Sequence, residues 1–592
     1  MKERDFDDDY YWNYRRVTAY LSILPTILGG STVSAIIIQQ AIFFIVLIGL
    51  AIPLGFYIHK VMTNQKTFLT KIISPIETKI YQFLGTPAQK EMTAKHYGLS
   101  VLFFSFFSFV ILMAMLLGQG FLPLNPEKLP GTSFSLAFNT AASFITNTNW
   151  QAYAGEDTLS IFTQAFGLTV QNFVSAAVGI AVLFVLLRGF TNRTSKQIGN
   201  FWQDLTKIIL YILVPISFIV SLLLISQGVV QTFAGSVETT SLELGQKIFL
   251  PLGTVASQVA IKQLGTNGGG YFGANSAHPF ENPNLISNFI ENCSILLIPA
   301  ALIVAFGLFV KDWKQGRTIM IVSLGFLIAA LIGVTLSEYY GPQFSHVIGQ
   351  MNMEGKETRF GIGWSALWAV STTAASNGSI NAMLDSFTPL GGLIPMFLMQ
   401  LGEIIFGGAG SGLYGMIVFI LLAIFIAGLL VGRTPEYLGK KIEPFDMKMA
   451  CLVILTPLLL TLLGTMLFIL NPQAMSWLTN QGPHGFSEIL YAFSSLANNN
   501  GSAFAGLTTD TTFLNILGGI IMILSRFIPM LAVIYLASNL GKKKVVATGS
   551  GTLSTTNATF VTMLIIVILV IGALSFLPSM ALGPIAEHFM TK

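Results

Sequence analysis

The sequence predicts an all-α polytopic membrane protein, because it is apolar throughout, contains ten long apolar stretches and repeats one polar motif four times. Hydrophobic residues make up 53% of the 592 residues and charged residues only 10%, whereas a soluble domain carries about 25% charged residues. We expect ten transmembrane helices, arranged as four pseudo-repeats of helix, re-entrant pore loop and helix, plus one extra helix at each end.

Each apolar stretch is long enough to cross about 30 Å of hydrocarbon, which takes roughly 20 helical residues. The stretches are 34–57, 98–117, 162–187, 205–226, 285–310, 318–336, 393–431, 449–470, 514–536 and 559–577. Both cysteines, Cys293 and Cys451, fall within them. They are therefore interpreted as membrane-core residues and give no indication of a disulfide framework.

The distribution of Lys and Arg predicts the orientation, because positively charged loops stay on the cytoplasmic side of a membrane. Twenty of the 31 basic residues lie in the loops that would be cytoplasmic if the first crossing entered from outside. This arrangement predicts that both chain termini lie outside. It also places all four polar clusters in loops that face outward.

The four polar clusters each follow an apolar run of about a dozen residues that starts at a proline or glycine. Such a run would rise about 18 Å as a helix, which is too short to span the bilayer. Each run is therefore predicted to be a re-entrant half-helix whose C-terminal end points at a common axis. The cluster residues are Thr146, Asn147, Thr148, Asn149, Thr266, Asn267, Gly268, Gly269, Ser376, Asn377, Gly378, Ser379, Asn499, Asn500, Gly501 and Ser502.

The residue types in these clusters suit a cation filter. Gly, Thr, Ser and Asn offer carbonyl and side-chain oxygens that replace a hydration shell, and no cluster contains an acidic residue, which favours a monovalent over a divalent cation. An isolated Asn-Gly-Ser would be an ordinary turn or a glycosylation pattern. Four copies, with 120, 110 and 123 residues between Asn147, Asn267, Asn377 and Asn500, favour a single fourfold filter.

Boundaries for these units follow from the apolar stretches and loops. We predict an N-terminal extension at 1–33, a first extra helix at 34–57, pore repeats at 97–188, 201–310, 318–432 and 448–537, and a last helix at 558–577. The extension lacks the basic start and long apolar region of a signal peptide. Its apolar run is also too short to span a membrane.

Several longer motifs resemble one family. They are GTNGGGYFGANSAHPFENP at 265–283, NMEGKE at 352–357, GRTPEYLGKK at 432–441 and GPHGFSE at 482–488. With the segments 124–126 and 146–151, and from about Gln39 onward, the chain resembles the potassium-transporting A subunit of the Kdp ATPase. The resemblance implies that the cation is potassium, and that the chain is the channel-like subunit of an ATP-driven, high-affinity uptake complex in a bacterial or archaeal cell membrane.

The resemblance also implies partners, namely a P-type ATPase subunit that hydrolyses ATP and two small membrane subunits. Independently, the sequence contains neither a nucleotide-binding P-loop pattern nor an Asp-Lys-Thr-Gly phosphorylation motif. We therefore expect the chain to bind no nucleotide and to be non-catalytic. The alternative is a self-contained potassium channel or an ion-coupled carrier of the same four-repeat superfamily.

Residues outside the clusters are assigned to the two ends of the ion path. Gln151, just past the first cluster, is expected at the outer mouth. Glu403 and Arg526 are charges inside predicted crossings, where they are costly and seldom face lipid. They are expected on the helices that follow the third and fourth pore loops, as part of the inner route or as a structural ion pair.

The glycine-rich stretch 406–412 should interrupt the long third-repeat crossing. The resemblance implies a gate below the filter there, and close packing of small residues is the alternative. The gate residues would be Gly407, Gly408, Gly410 and Gly412. His278 and Glu281 follow the second cluster, but a lone histidine in a proline-rich turn is typical of a local hydrogen-bond partner, so no metal other than potassium is expected.

The chain departs from the family pattern at Asn377, where its best-known members carry cysteine. The amide side chain could offer its own oxygen to a cation. Selectivity among potassium, rubidium and ammonium is therefore left open by the sequence.

Overall fold

The fold was examined in a computed structural model that describes residues 32–85, 88, 90–241, 245–341, 351–546 and 553–590. The predicted N-terminal extension lies almost wholly outside these residues. Within them, ten helices are long and apolar enough to cross a membrane, which confirms the predicted number. They are α1 (Val33–Met62), α3 (Ala94–Phe121), α5 (Thr163–Thr191), α6 (Phe201–Ser226), α8 (Leu285–Phe309), α9 (Trp313–Tyr340), α12 (Ser411–Val431), α13 (Pro444–Ile469), α15 (Thr512–Lys542) and α16 (Ala558–Met590).

Four short helices supply the re-entrant elements. They are α4 (Phe134–Ile145), α7 (Val255–Leu264), α10 (Gly361–Ala374) and α14 (Gly482–Ala497), of 12, 10, 14 and 16 residues. At about 1.5 Å per residue none can span the bilayer. We call these the pore helices.

The start of each pore helix follows from local chemistry. The Ser133 side chain accepts a hydrogen bond from the Leu136 N–H and so caps α4. Pro483 occupies the first turn of α14, where its missing N–H costs nothing. All four are nearly or wholly buried over their last two turns, which places their C-terminal ends in the middle of the molecule.

The remaining elements connect these helices. Helix α2 (Thr70–Leu84) lies between α1 and α3, and α11 (Pro389–Gln400) precedes α12. Two antiparallel hairpins pair β1 (Val237–Thr240) with β2 (Lys247–Leu250), and β3 (Glu436–Tyr437) with β4 (Lys440–Lys441).

The order of helices is that of four repeats, α3–α4–α5, α6–α7–α8, α9–α10–α12 and α13–α14–α15, with α1 and α16 outside them. The second long helix of each repeat is buried more than the first. In the most apolar windows of α5 and α8, 83% and 89% of residues are buried, against 28% and 39% for α3 and α6. The inner ring of helices therefore surrounds the pore helices, and the outer ring presents apolar side chains to lipid.

The third repeat contains the interruption that the sequence predicts within the crossing at 393–431. The chain leaves helix after Gln400 and resumes it at Ser411, so the predicted interruption is present but begins earlier than the glycines. Five residues in this segment have positive φ, including Glu403 at 50° and Gly407 at 63°. We call residues 401–410 the inner loop.

Candidate cation filter and the cavity below it

A short segment of irregular backbone follows each pore helix, and the four segments share one conformation. We call them the filter strands, although they are not β-strands; they are residues 146–149, 266–269, 376–379 and 499–502. Positive φ recurs at two positions separated by one residue: Asn147 and Asn149, Thr266 and Gly268, Ser376 and Gly378, Asn499 and Gly501. Positive φ at alternate residues keeps these segments out of both helix and sheet, so their backbone groups are available to a ligand. Rings of backbone carbonyls are what cation filters use.

This pattern corrects the alignment of the first repeat. The residue between the two positive-φ positions is Thr148 in the first strand, and Asn267, Asn377 and Asn500 in the others. Asn147, which has the same residue type as these asparagines, instead corresponds to Thr266. Backbone conformation, and not side-chain identity, sets the equivalence.

The four strands contact one another in a closed ring. A Cβ on Gly268 would lie 1.8 Å from the Asn377 carbonyl oxygen, one on Gly378 2.0 Å from that of Asn500, and one on Gly501 1.9 Å from that of Thr148. The Asn149 amide closes the ring by donating to the Gly268 carbonyl over 2.9 Å. The structure thus brings together all four predicted clusters.

Asparagine side chains attach the third and fourth strands to the preceding pore helix. Asn377 donates through Nδ2 to the Lys262 carbonyl over 3.1 Å, and Asn500 donates to the Thr372 carbonyl over 2.9 Å. Their side-chain oxygens accept hydrogen bonds from the N–H groups of Ser379 and Ser502, at 2.9 and 3.0 Å. The Asn377 amide oxygen therefore supports its own strand and is not a free cation ligand.

The second strand has a charged support that sequence reasoning missed. Lys262 on α7 is fully buried and donates through Nζ to the Gly269 carbonyl at 2.9 Å, to Ser276 Oγ at 2.9 Å and to Glu281 Oε2 at 2.5 Å. Glu281 also accepts from the Phe272 N–H over 2.9 Å. By sequence alone Lys262 is one of the basic residues outside the predicted cytoplasmic loops, with nothing to mark it as buried. The available signal was a glutamate nineteen residues later in a glycine-rich loop.

Gln151 joins the segments that follow the first and second clusters. Its Oε1 accepts from the Gly270 N–H at 2.6 Å, and its Nε2 donates to the Gly270 carbonyl at 3.0 Å. Nearby, His278 Nδ1 accepts a hydrogen bond from the Phe280 N–H at 3.1 Å. His278 thus has the local backbone partner expected from the sequence, and Glu281 pairs with Lys262.

The inner loop lies directly against the filter strands. The Ala409 N–H donates to Thr266 Oγ1 over 2.7 Å, and the Gly407 N–H donates to the Ala374 carbonyl at the end of α10 over 3.0 Å. A Cβ on Gly410 would lie 2.3 Å from the Gly179 carbonyl oxygen of α5. The glycines are therefore required by close backbone contacts on both sides of the loop.

Glu403 and Arg526 both line a cavity of about 60 Å³ bounded by Ser376, Asn499 and the inner loop. Glu403 was predicted on a helix, but it lies in the inner loop with φ at 50°. Its Oε1 accepts a hydrogen bond from Asn500 Nδ2 at 2.7 Å. Among the ion pairs found in the described residues, none joins Glu403 to Arg526 within 4.0 Å, so the direct ion pair considered from the sequence does not form.

Arg526 lies on α15 and is 5% exposed. A Cβ on Gly179 would lie 3.1 Å from Arg526 Nη2 and 2.6 Å from the Ala409 carbonyl oxygen. The guanidinium therefore occupies the space between α5 and the inner loop. Its positive charge lies beside the cavity that Ser376 and Asn499 of the third and fourth strands also line.

Comparison with known proteins identifies the family. Residues 41–589 match the model of the family described as potassium-transporting ATPase A subunit. A potassium-transporting ATPase potassium-binding subunit of Listeria monocytogenes serotype 4b (strain F2365) is 60% identical, over 94% of this chain and 99% of its own length. One of the same name from Clostridium perfringens (strain ATCC 13124) is 56% identical, over 93% and 98%.

Among solved structures, the potassium transporter TrkH from Vibrio parahaemolyticus aligns with 76% of this chain and 86% of its own, at 15% identity and a TM-score of 0.48. The family assignment does not depend on this alignment, since it follows from the sequence matches over nearly the whole chain. The chain belongs to the family of potassium-transporting ATPase A subunits.

Proposed function

We propose that this chain binds potassium from outside the cell at the four-strand filter and passes it to a partner P-type ATPase subunit. The closed ring of four carbonyl-rich strands, formed at the ends of four pore helices, carries the proposal. Each pore helix directs the negative end of its dipole, roughly half a unit charge, at the filter. The absence of acidic residues from the clusters suits a weakly hydrated monovalent cation.

The filter needs a partner that hydrolyses ATP if potassium is taken up against a gradient steeper than the membrane potential can support. A membrane potential of about 100 mV supplies only ~2.3 kcal/mol per unit charge, and each tenfold gradient costs about 1.4 kcal/mol. The chain itself lacks a nucleotide-binding motif. We therefore assign ATP hydrolysis to the partner. We also include two small membrane subunits in the complex. We place the complex in the bacterial or archaeal cell membrane, with both termini of this chain outside.

The cavity under the filter is the proposed start of the inner route, with the inner loop as its gate. In this proposal Arg526 prevents potassium from leaking straight into the cytoplasm. A unit charge at about 6 Å and an effective dielectric constant of 20 repels potassium by roughly 3 kcal/mol, worth about a hundredfold in rate. Glu403 stabilises the fourth strand by accepting a hydrogen bond from Asn500.

Two experiments test the proposal. Purification of the chain from its host under potassium starvation should recover a P-type ATPase subunit, and potassium uptake should stop when that subunit is removed. Uptake that persists without the subunit would instead establish a self-contained channel or carrier.

The second experiment measures potassium flux in proteoliposomes without ATP. Arg526→Ala should raise the leak and lower coupled uptake, whereas Arg433→Ala, on the loop after α12, should change neither. A stable Arg526→Ala protein with the flux of the unmodified protein would refute the barrier.

A further inference from the structure

The motif at 482–488, which carried part of the family resemblance, has no role in the filter. It places His484 and Glu488 one turn apart on α14, at the end of that pore helix farthest from the filter. Asp385, from the loop after the third filter strand, completes a group whose ligand atoms all lie within 4.8 Å of one another. Two elements that are distant in sequence thus bring one imidazole and two carboxylates together.

The histidine is held as a metal-binding histidine would be. Nδ1 lies 2.8 Å from Oε1 of Glu587 in the C-terminal helix, and Nε2 lies 2.9 Å from Oδ1 of Asp385. A carboxylate that accepts the Nδ1 proton fixes the tautomer and leaves the Nε2 lone pair for a metal ion. Nε2 therefore points at the position where Asp385 supplies a second ligand.

Glu488 independently favours a cation at this position. This residue is 1% exposed, and its Oε1 accepts from Asn480 Nδ2 at 2.8 Å. Its Oε2 is buried with no hydrogen-bond partner in the described part of the chain. A buried carboxylate oxygen without a partner is costly, and a cation would satisfy it.

The charges favour a divalent over a monovalent ion. Nε2 of His484 donates to the Asp385 carboxylate in the present geometry, because an ionised carboxylate only accepts. A metal ion at Nε2 would therefore replace this proton. A divalent cation in that position would balance the charges of Asp385 and Glu488 together.

We propose that His484 Nε2, Asp385 and Glu488 form a zinc site, with water as the fourth ligand. Zinc takes nitrogen and oxygen ligands at about 2.0 to 2.2 Å in a tetrahedron, which sets neighbouring ligand atoms roughly 3.4 Å apart. The ligand atoms of the three residues already lie within 4.8 Å of one another. The bound ion would connect the loop after the third strand to α14, and Glu587 would keep its hydrogen bond with Nδ1 of His484. This site requires neither potassium binding nor ATP.

The test measures Zn²⁺ binding to the purified complex by competition with a chromophoric chelator. One equivalent per chain should bind, and excess Mg²⁺ should not displace it, because imidazole favours zinc over magnesium. His484→Gln and Glu488→Gln should each weaken binding at least tenfold. Glu488→Gln keeps the acceptor for Asn480 and so preserves the fold. His96→Gln, at the opposite end of the molecule on α3, should leave binding unchanged.

Zinc binding of equal strength in the unmodified complex, His484→Gln and Glu488→Gln would overturn the proposal, as would no binding by a folded unmodified complex. Potassium-dependent ATP hydrolysis, measured on the same samples, reports separately on the proposed function. An unmodified complex that binds zinc but shows no potassium-dependent ATP hydrolysis would count against the transport proposal and not against the zinc site.

Discussion

The second filter strand is supported by different side-chain chemistry from the third and fourth strands. All three strands have positive φ at alternate residues, yet a buried ion pair supports the second and neutral amides support the other two. Lys262 and Glu281 fix the second strand, whereas Asn377 and Asn500 each bond a serine N–H and a neighbouring pore helix. We infer that backbone geometry, and not the identity of the supporting side chains, is what the filter requires.

Altering the backbone itself should therefore have the largest effect. Gly268 has φ of 74°, and an added Cβ would lie 1.8 Å from the Asn377 carbonyl oxygen. Gly268→Val should lower the potassium affinity of the complex at least a hundredfold, measured as the half-saturating concentration for ATP hydrolysis. Gly325→Val, on α9 where no atom lies within 4 Å of a Cβ, should have no effect. Equal affinities in the two variants would show that Gly268 is not in the filter.

The ion pair behind the second strand should come next. Lys262→Met leaves the Glu281 carboxylate buried and unpaired, which typically costs about 3 to 5 kcal/mol, and thermal unfolding should shift accordingly. Lys262→Met with Glu281→Gln should regain much of this loss. Lys247→Met breaks a pair whose side chains are 72% and 47% exposed and should cost less than about 1 kcal/mol. If the single and double variants melt alike, the pair does not support the strand.

A neutral support should cost less than the charged one. Asn377→Ala removes hydrogen bonds to the Ser379 N–H and the Lys262 carbonyl, each within the buried ring, and should destabilise the protein by about 1 to 3 kcal/mol. Asn377→Asp keeps the acceptor for Ser379 and loses the donor to Lys262. If the bond to the Ser379 N–H matters more than the bond to the Lys262 carbonyl, the potassium affinity of Asn377→Asp should lie between those of the unmodified protein and Asn377→Ala. Unchanged affinity in Asn377→Ala would remove this residue from the filter's support.

The outer mouth should give the smallest effect. Gln151→Arg replaces two hydrogen bonds to Gly270 with a positive charge near the filter. At about 10 Å and an effective dielectric constant of 20, that charge repels potassium by ~1.7 kcal/mol, which corresponds to a roughly tenfold higher half-saturating concentration. Gln473→Arg adds the same charge on an exposed loop and should change little. An effect of equal size from both would mean that Gln151 is not at the ion path.

Composition and repetition predicted the architecture because the bilayer imposes them directly. A span needs about 20 apolar residues, and irregular backbone at membrane depth survives only where protein or water surrounds it, so ten crossings and four polar interruptions could be identified from letters alone. The glycines at 407–412 similarly predicted the break in the third repeat. Each of these features is local in sequence.

The features that the sequence did not reveal depend on tertiary contacts. Glu403 resembled a helical residue, but its positive φ follows from packing of the inner loop and from its hydrogen bond to Asn500. Lys262 and Lys356 lie in predicted outer loops, yet both are buried against Glu281 and Glu338. The equivalence of Thr148 with three asparagines is visible only in backbone angles. Charge partners and backbone conformation are set by residues far away in sequence.

The proposed function depends above all on one potassium site that all four strands share. Long-wavelength anomalous diffraction near the potassium absorption edge, on crystals of the complex grown in potassium, locates the ion directly. We predict a potassium peak on the common axis, with oxygen atoms from all four clusters around it and no such peak in Gly268→Val. A potassium ion bound elsewhere, or held by only one or two of the clusters, would contradict the proposed filter.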